Sequence, residues 1–362
     1  MFMNRPNATF PIARLLAVPA LSLTCLAVAC GTEGSKAGDG AAKDMQVVSD
    51  TSNITPAALA AFAPLPENWD VPGDRLVNER IALGRALFYE TLLSDGHNVS
   101  CNSCHALNGW GADGRKLSLG HDGRAGTRNA PSVYNAAGHL AQFWDGRAPD
   151  VEAQSKGPIL NPVEMGMPDS GAVLAHLRAS AQYVAAFRAA YPDDAQPVTY
   201  DNMGRAIGAF ERRLVTPARW DRFLTGDRSA LSAAEQEGLS VFLATGCQQC
   251  HNGATMGGRV YQKVGLVTAW PSAADSGRTV VTRNPSDLFV FKVPSLRNVE
   301  KTGPYFHDGS VASLDEAVRL MAHHQLGKTL TPAQTGAIVT WLSALTGDIP
   351  VNYIAFPQKP MQ

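Results

Sequence analysis

The sequence predicts a mainly α-helical protein of two like domains with little β structure, and three observations carry that prediction. The pentapeptides Cys101-Asn102-Ser103-Cys104-His105 and Cys247-Gln248-Gln249-Cys250-His251 share the spacing C-x-x-C-H. An amphipathic helical pattern precedes each of them, and strand-like patterning is confined to about residues 288–293. The chain has 362 residues, 45% apolar and 17% charged, enough to bury a large core. Its net charge of −1 gives no electrostatic footprint for a nucleic-acid backbone.

At the N-terminus, Arg5 and Arg14 precede an uncharged run from Leu15 to Ala29 that closes on Ala27-Val28-Ala29. This is the form of an export signal over residues 1–29. The run falls short of the roughly 20 residues a membrane span requires, and Pro19 interrupts it. Its removal leaves 29 basic against 32 acidic residues, a charge of −3. Cys30 follows directly, and Leu26-Ala27-Val28-Ala29-Cys30 resembles a bacterial lipoprotein cleavage box with Ala in place of the usual Leu. Residues 30–55, rich in small and polar types, read as a flexible linker. It would tether a lipid-anchored chain if Cys30 is acylated, or lead a simply secreted one if it is not.

C-x-x-C-H is the c-type haem attachment pattern. Two thiols three positions apart on one turn can each form a thioether to a porphyrin edge, while the adjacent imidazole turns inward to the iron. A redox dithiol or half a zinc site would leave each histidine unexplained, and no further cysteines complete a zinc ribbon. The expectation is two haem c groups, held by Cys101, Cys104, Cys247 and Cys250, with His105 and His251 as proximal ligands. Such haem is attached outside the cytoplasm, which agrees with export and points to the periplasm.

The helices follow in order. Ile81, Leu83, Leu87 and Phe88 lie on a helix from near Asp74 that stops before Ser94-Asp95-Gly96. Met203, Ile207, Phe210 and Leu214 mark another by their spacing. Ser232 and Glu235 form a capping box for a helix with Leu239, Phe242 and Leu243 on its apolar face and Gly246 at its end. Ser313 and Glu316 open a helix that carries Leu314, Ala317, Val318 and Met321 on one side. Thr331-Pro332 opens the last, with Ile338, Val339 and Leu342, which closes near Gly347. The whole looks like two cytochrome c-like haem domains, residues 56–217 and 218–350, with a boundary near Pro217 and a tail at 351–362. Among the remaining histidines, His97, His121, His139, His176, His307, His323 and His324, spacing alone does not select distal ligands.

A longer set of motifs goes further. Gly120-His121, Arg128-Asn129-Ala130-Pro131, Gln142-Phe143-Trp144-Asp145-Gly146-Arg147-Ala148, Gln154, Gly157-Pro158 and Asn161-Pro162-Val163-Glu164-Met165 resemble the bacterial diheme cytochrome c peroxidases. So do Pro294-Ser295-Leu296-Arg297-Asn298 and Gly303-Pro304-Tyr305-Phe306-His307-Asp308-Gly309. The resemblance spans about residues 70–350 and includes both haem motifs.

That resemblance implies a periplasmic enzyme reducing hydrogen peroxide to water. Its N-terminal haem reacts with peroxide and its C-terminal haem accepts electrons from a small cytochrome c or a cupredoxin. It implies that His121 is a distal ligand on a glycine-rich loop, displaced on activation, and that Met321 is the distal ligand of the second haem. It implies Glu164 as acid-base residue with Gln154 beside it, and Trp144 between the haems. Asn129, Thr302 and Pro304 are implied as Ca²⁺ ligands, and the chain as a homodimer. Two alternatives stand beside it. A methylamine-utilisation type enzyme, which oxidises protein tryptophans, carries Tyr where this chain has Met321. A c4-type diheme electron carrier has no reaction pocket, against which Gln154 and Glu164 argue.

Overall fold

The computed structural model describes residues 51–357, so the export segment 1–29, Cys30 and the linker as far as residue 50 lie outside the described residues, as do 358–362. The described chain is mainly helical. Its helices are α1 Pro56–Leu59, α2 Val77–Phe88, α3 Cys101–Cys104, α4 Val151–Leu160, α5 Ser170–Ala179, α6 Ala181–Ala190, α7 Tyr200–Glu211, α8 Arg219–Leu224, α9 Ala233–Thr245, α10 Thr279–Thr282, α11 Leu314–Leu326 and α12 Pro332–Ser343. A single antiparallel ribbon pairs β1, Tyr261–Lys263, with β2, Val290–Lys292, and sets Gln262 opposite Phe291.

Two helix crossings organise the chain, α2 on α7 and α9 on α12. Both are close because glycine stands at the crossing. A Cβ at Gly84 would lie 1.8 Å from the Ala206 carbonyl oxygen, and one at Gly238 would lie 2.0 Å from that of Ala337. The caps read from the sequence are in place: Ser232 with Glu235 on α9, Gly246 in the left-handed conformation at its end, and Thr331 with Gln334 on α12. Two boundaries move. α2 begins at Val77 because the Asp74 carboxylate accepts the Leu76 amide at 3.1 Å and turns the chain first. α12 stops at Ser343, short of Gly347, whose amide instead donates to Asn298 Oδ1 at 2.9 Å. α4, α5 and α6, with N-caps Asp150, Asp169 and Ser180, were not read from the sequence. α5 and α6 are ten residues each and open without the reciprocal capping box that marks α9 and α12.

Each crossing has its own apolar core. Leu83, Leu87, Phe88, Met203, Ile207 and Phe210 build the first, and Trp220, Leu239, Phe242, Ile338, Trp341 and Leu342 the second. The terminal segments do not follow the expected grouping. Leu59 and Phe62 enter the second core, Phe62 edge-on to Trp220 at 5.4 Å. Asn53, at the end of the expected flexible linker, already donates to the Ser240 carbonyl at 2.8 Å. In the expected tail, Ile354 joins the first core and Tyr353 stacks on Phe210 at 5.2 Å. Apolar burial overrides chain order here, since side chains of this size bury more favourably in either core than they remain in water.

Thr216 ties the two halves together. Asn135 and Asn298 both adopt φ of 61° and both donate their side-chain amides to Thr216 Oγ1 at 2.9 Å, while the Thr216 amide donates to Asn135 Oδ1 at 3.1 Å. All three residues are buried. Thr216→Val keeps the shape and removes the acceptor, so each stranded amide should cost about 1–3 kcal/mol. Denaturant unfolding should show this loss for Thr216→Val and little of it for Thr216→Ser.

Candidate functional site

Both C-x-x-C-H segments form one tight turn that returns the histidine toward its first cysteine. The His105 amide donates to Cys101 O at 2.9 Å, and the His251 amide to Cys247 O at 3.0 Å. The ring of His105 has Nδ1 3.3 Å from Gly111 O, and that of His251 has Nδ1 3.3 Å from Met256 O. A carbonyl only accepts, so each Nδ1 carries the proton and each Nε2 keeps its lone pair for a metal. Protein packed around the rings holds both neutral, lowering the pKa of His105 and bringing that of His251 down to about 4. Burial pushes the thiols of Cys101 and Cys247 up to about 12. All four cysteines are free of disulfides. Two thiols and one imidazole on a single turn suit a haem held by two thioethers and one histidine, and fall one ligand short of a structural zinc site.

Cys101, Cys104 and His105 form one side of a cavity of about 610 Å³, with Val99, Pro131, Val133, Phe143 and Met165 among its apolar walls. A large apolar cleft with a few convergent polar groups is what a flat macrocycle requires. Glu164, Gln154, Trp144 and Asn129 also line it, together with His307 and Asp308 from the second half. Asn161 Nδ2 donates to Glu164 Oε1 at 2.9 Å and fixes that carboxyl group. Burial raises the Glu164 pKa, and Arg147 and the Asn161 bond oppose the rise. Arg147 is itself held over the Phe143 ring at 3.4 Å and bonded to Asp145 at 3.0 Å. The indole N–H of Trp144 donates to Asn129 O at 2.9 Å.

Other expected residues stand apart. Gly120 lines the cavity but the His121 side chain does not; its ring packs where a Cβ on Gly166 would meet Nε2 at 2.2 Å, with Nδ1 3.9 Å from the Asp95 carboxylate. The loop that bears it closes on the isolated bridge Leu119↔Ala125, and residues 122–125 are exposed. Met321 is half-buried on α11 and does not join the second core, unlike Leu314, Val318 and Ala322 of the same helix. Asn129 donates through Nδ2 to Arg115 O at 2.9 Å and through its backbone to His307 O at 2.8 Å, which brings it beside the loop of Thr302 and Pro304.

The cavity wall repeats across the two halves. Phe143 and Phe306 have φ of 66° and 68°, and Gly146 and Gly309 have φ of 66° and 59°. Each pair belongs to a loop closed by a bridge, Gln142↔Ala148 in one and Tyr305↔Val311 in the other. Trp144 and His307 therefore hold like positions, with ring centroids 6.3 Å apart. Sequence reasoning had not selected Asn161, Arg147 or His307 for the site, although all three lie inside its motifs. It also missed Glu211, a buried cavity-lining acid at the end of α7, whose pKa burial pushes up to about 8. Helical spacing gives no sign of an acid at that place.

Comparison with known proteins points to one family. The sequence profile of the di-haem cytochrome c peroxidase family matches residues 78–229. The chain is 44% identical over 308 residues to a cytochrome c551 peroxidase of Pseudomonas aeruginosa, covering 83% of this chain and 88% of that protein. It is 33% identical over 305 residues to the methylamine utilization protein MauG of Methylorubrum extorquens, covering 83% and 84%. Among solved structures, a MauG-like protein associated with microbial copper homeostasis superposes with a TM-score of 0.71 at 28% identity, covering 82% of this chain and 97% of that one. The diheme peroxidase BthA of Burkholderia thailandensis shares the fold, with a TM-score of 0.65 at 18% identity over 83% and 93% of the two chains. Replacing Cys101 and Cys104 together by Ala is expected to leave one covalently attached haem per chain, as is replacing Cys247 and Cys250. Intact mass of each purified variant decides, and retention of two haems in either would refute the assignment of that cysteine pair.

Proposed function

The chain belongs to the di-haem cytochrome c peroxidase family, and from that premise we propose how its own residues divide the labour of reducing hydrogen peroxide to water. The enzyme carries two haem c groups and takes its electrons from a redox protein. When bound, haem supplies an iron for peroxide in the first half and a redox centre for electron entry in the second. The observation that carries the reading is Glu164, a half-buried carboxyl group fixed by Asn161 on the wall of the cavity that also holds Cys101, Cys104 and His105.

Breaking the O–O bond needs a proton taken from one peroxide oxygen and delivered to the other, and Glu164 is placed to carry it. Gln154 on α4 lines the same cavity and would orient the substrate. Trp144 stands between the halves, its indole N–H fixed by Asn129, and would shorten the electron path. His121 would enter the cavity as a ligand through movement of its loop, for which Gly123, at φ of 82°, supplies the freedom. Met321 would supply the remaining ligand of the second haem, which raises that haem's potential relative to bis-histidine ligation. Its half-buried place outside the core supports this.

Asn129, Thr302 and Pro304 offer hard oxygen donors suited to Ca²⁺. The specific donor, a small cytochrome c or a cupredoxin, homodimer formation, export to the periplasm and a lipid at Cys30 belong to the same proposal. The N-terminal signal pattern and haem attachment outside the cytoplasm support export, and the cleavage-box pattern before Cys30 supports the lipid. A cavity with Glu164 and Gln154 on its wall argues against a simple c4-type carrier. The MauG type, at 33% identity, is the more distant alternative.

Glu164→Gln should keep both haems and lower peroxide turnover by about 10²–10⁴-fold, the usual worth of a positioned acid-base group. Glu164 must be ionised to accept the first proton. Because burial raises its pKa, the acid limb of kcat/KM should lie above the ordinary carboxylate range, with activity lost as pH falls through it. Arg147→Gln removes a charge that favours the carboxylate, so it should move this limb to still higher pH. A pH-rate profile that is the same in all three proteins would exclude Glu164 as the proton carrier.

A further inference from the structure

Lys292 is a buried cation with no acidic partner among the described residues. It closes β2 at 7% exposure, and its ammonium lies 3.0 Å from His139 Nδ1. An ammonium only donates, so Nδ1 accepts and the ring proton sits on Nε2. That Nε2 is buried and has no hydrogen-bond partner. The pair therefore offers donors alone, two further N–H groups of Lys292 and the Nε2–H of His139, in a place shielded from water. Burial by itself lowers the Lys292 pKa to about 8, and no carboxylate offsets that. An uncompensated buried cation is costly and calls for an anion.

The place is defined by the fold. Gly258 makes room for His139, since a Cβ there would fall 2.2 Å from its Cδ2. Gly258 lies two residues beyond Met256, whose carbonyl fixes the ring of His251. The backbone amide of Lys292 donates to Trp144 O at 2.7 Å. The internal duplication adds an independent argument. Lys292 precedes Pro294-Ser295-Leu296-Arg297-Asn298 as Asn129 precedes Pro131-Ser132-Val133-Tyr134-Asn135. The Lys292 bond to Trp144 O mirrors the Asn129 bond to His307 O. Lys292 thus takes, in the second half, the position that Asn129 takes in the first.

We propose that Lys292 and His139 form a carboxylate-binding site that receives a propionate of the haem attached through Cys247 and Cys250. The ammonium serves there as a built-in cation, the counterpart of the Ca²⁺ proposed beside Asn129. The donor-only chemistry fits a carboxylate, and a haem c brings two. A fixed positive charge beside a redox centre favours its reduced form, so the site raises the potential of the haem at which electrons enter; this consequence rests on the division of labour proposed above.

The test is a redox titration of the holoenzyme that resolves both haems, comparing wild type with Lys292→Met and Lys292→Arg. Lys292→Met should weaken reduction of the Cys247/Cys250 haem about tenfold, ~59 mV for one electron, and leave the other haem in place. Lys292→Arg, which keeps the charge, should stay near wild type. Unchanged potentials in Lys292→Met, or a shift confined to the Cys101/Cys104 haem, would overturn the proposal. Resonance Raman of wild-type holoenzyme needs no variant: the propionate-bending band of the second haem should move between H₂O and D₂O, and an unmoved band counts against the site. Intact peroxide turnover with unchanged potentials would sink this site and leave the peroxidase reading standing. A lowered potential in a protein whose wild type turns over no peroxide would do the reverse.

Discussion

One bond in each half fixes everything around it: the imidazole Nδ1 of the C-x-x-C-H histidine faces a backbone carbonyl, Gly111 O in one case and Met256 O in the other. That contact orients the ring, determines its tautomer and leaves Nε2 as the atom with a free lone pair. The carbonyl has to be held as firmly as the ring. In the second half the Leu296 amide donates to Met256 O at 3.1 Å, and Arg297 braces the same loop, donating through Nε to Ala254 O at 2.9 Å while its other nitrogens pair with Asp221 at 2.7 and 2.8 Å. The buried ion pair thereby acts on the loop that follows His251. In the first half the equivalent position is Tyr134, whose hydroxyl donates to Leu107 O at 2.8 Å. Different side chains brace the segment that follows the histidine in each half.

Duplication explains the remaining architecture better than a tally of helices does. Two glycine-closed crossings, two left-handed asparagines and two bridged loops recur at matching places, and the two copies meet across Thr216. The copies diverge where chemistry is needed. Trp144 faces His307, Asn129 corresponds to Lys292, and only the first copy has Glu164 on a cavity wall. Arg128 joins the halves electrostatically, bonded to Asp145 at 2.7 Å and to Asp275 at 2.6 and 2.8 Å. A pair of carboxylates on one guanidinium is well satisfied, which contrasts with the unpaired ammonium of Lys292.

Much of this was legible in the sequence wherever a local rule decides the outcome. The capping boxes at Ser232 and Thr331 and the αL glycine at Gly246 depend on residues a few positions apart, and the structure has them. α5 and α6 escaped because they are short and lack the reciprocal capping box that marks α9 and α12. The destinations of Phe62 and Ile354 escaped because burial depends on which core has space, a property no local pattern holds. Within the site, Glu164 and Trp144 were reachable through motif resemblance, and both line the cavity. Asn161 and Arg147 lay inside the same motifs, but their work is to hold or polarise another side chain, and that is a matter of contact.

By itself the sequence determined the cofactor chemistry and the helical class: thiol spacing and an adjacent imidazole are set by covalent geometry along one turn, and helix caps by bonds between near neighbours. The tertiary structure alone decided which groups are left without a partner. His121 is packed against Gly166 outside the cavity, Glu211 is buried on its wall, and Lys292 meets His139 across 153 positions of chain. Desolvation and pairing are properties of the enclosure around a side chain, and residues distant in sequence build that enclosure.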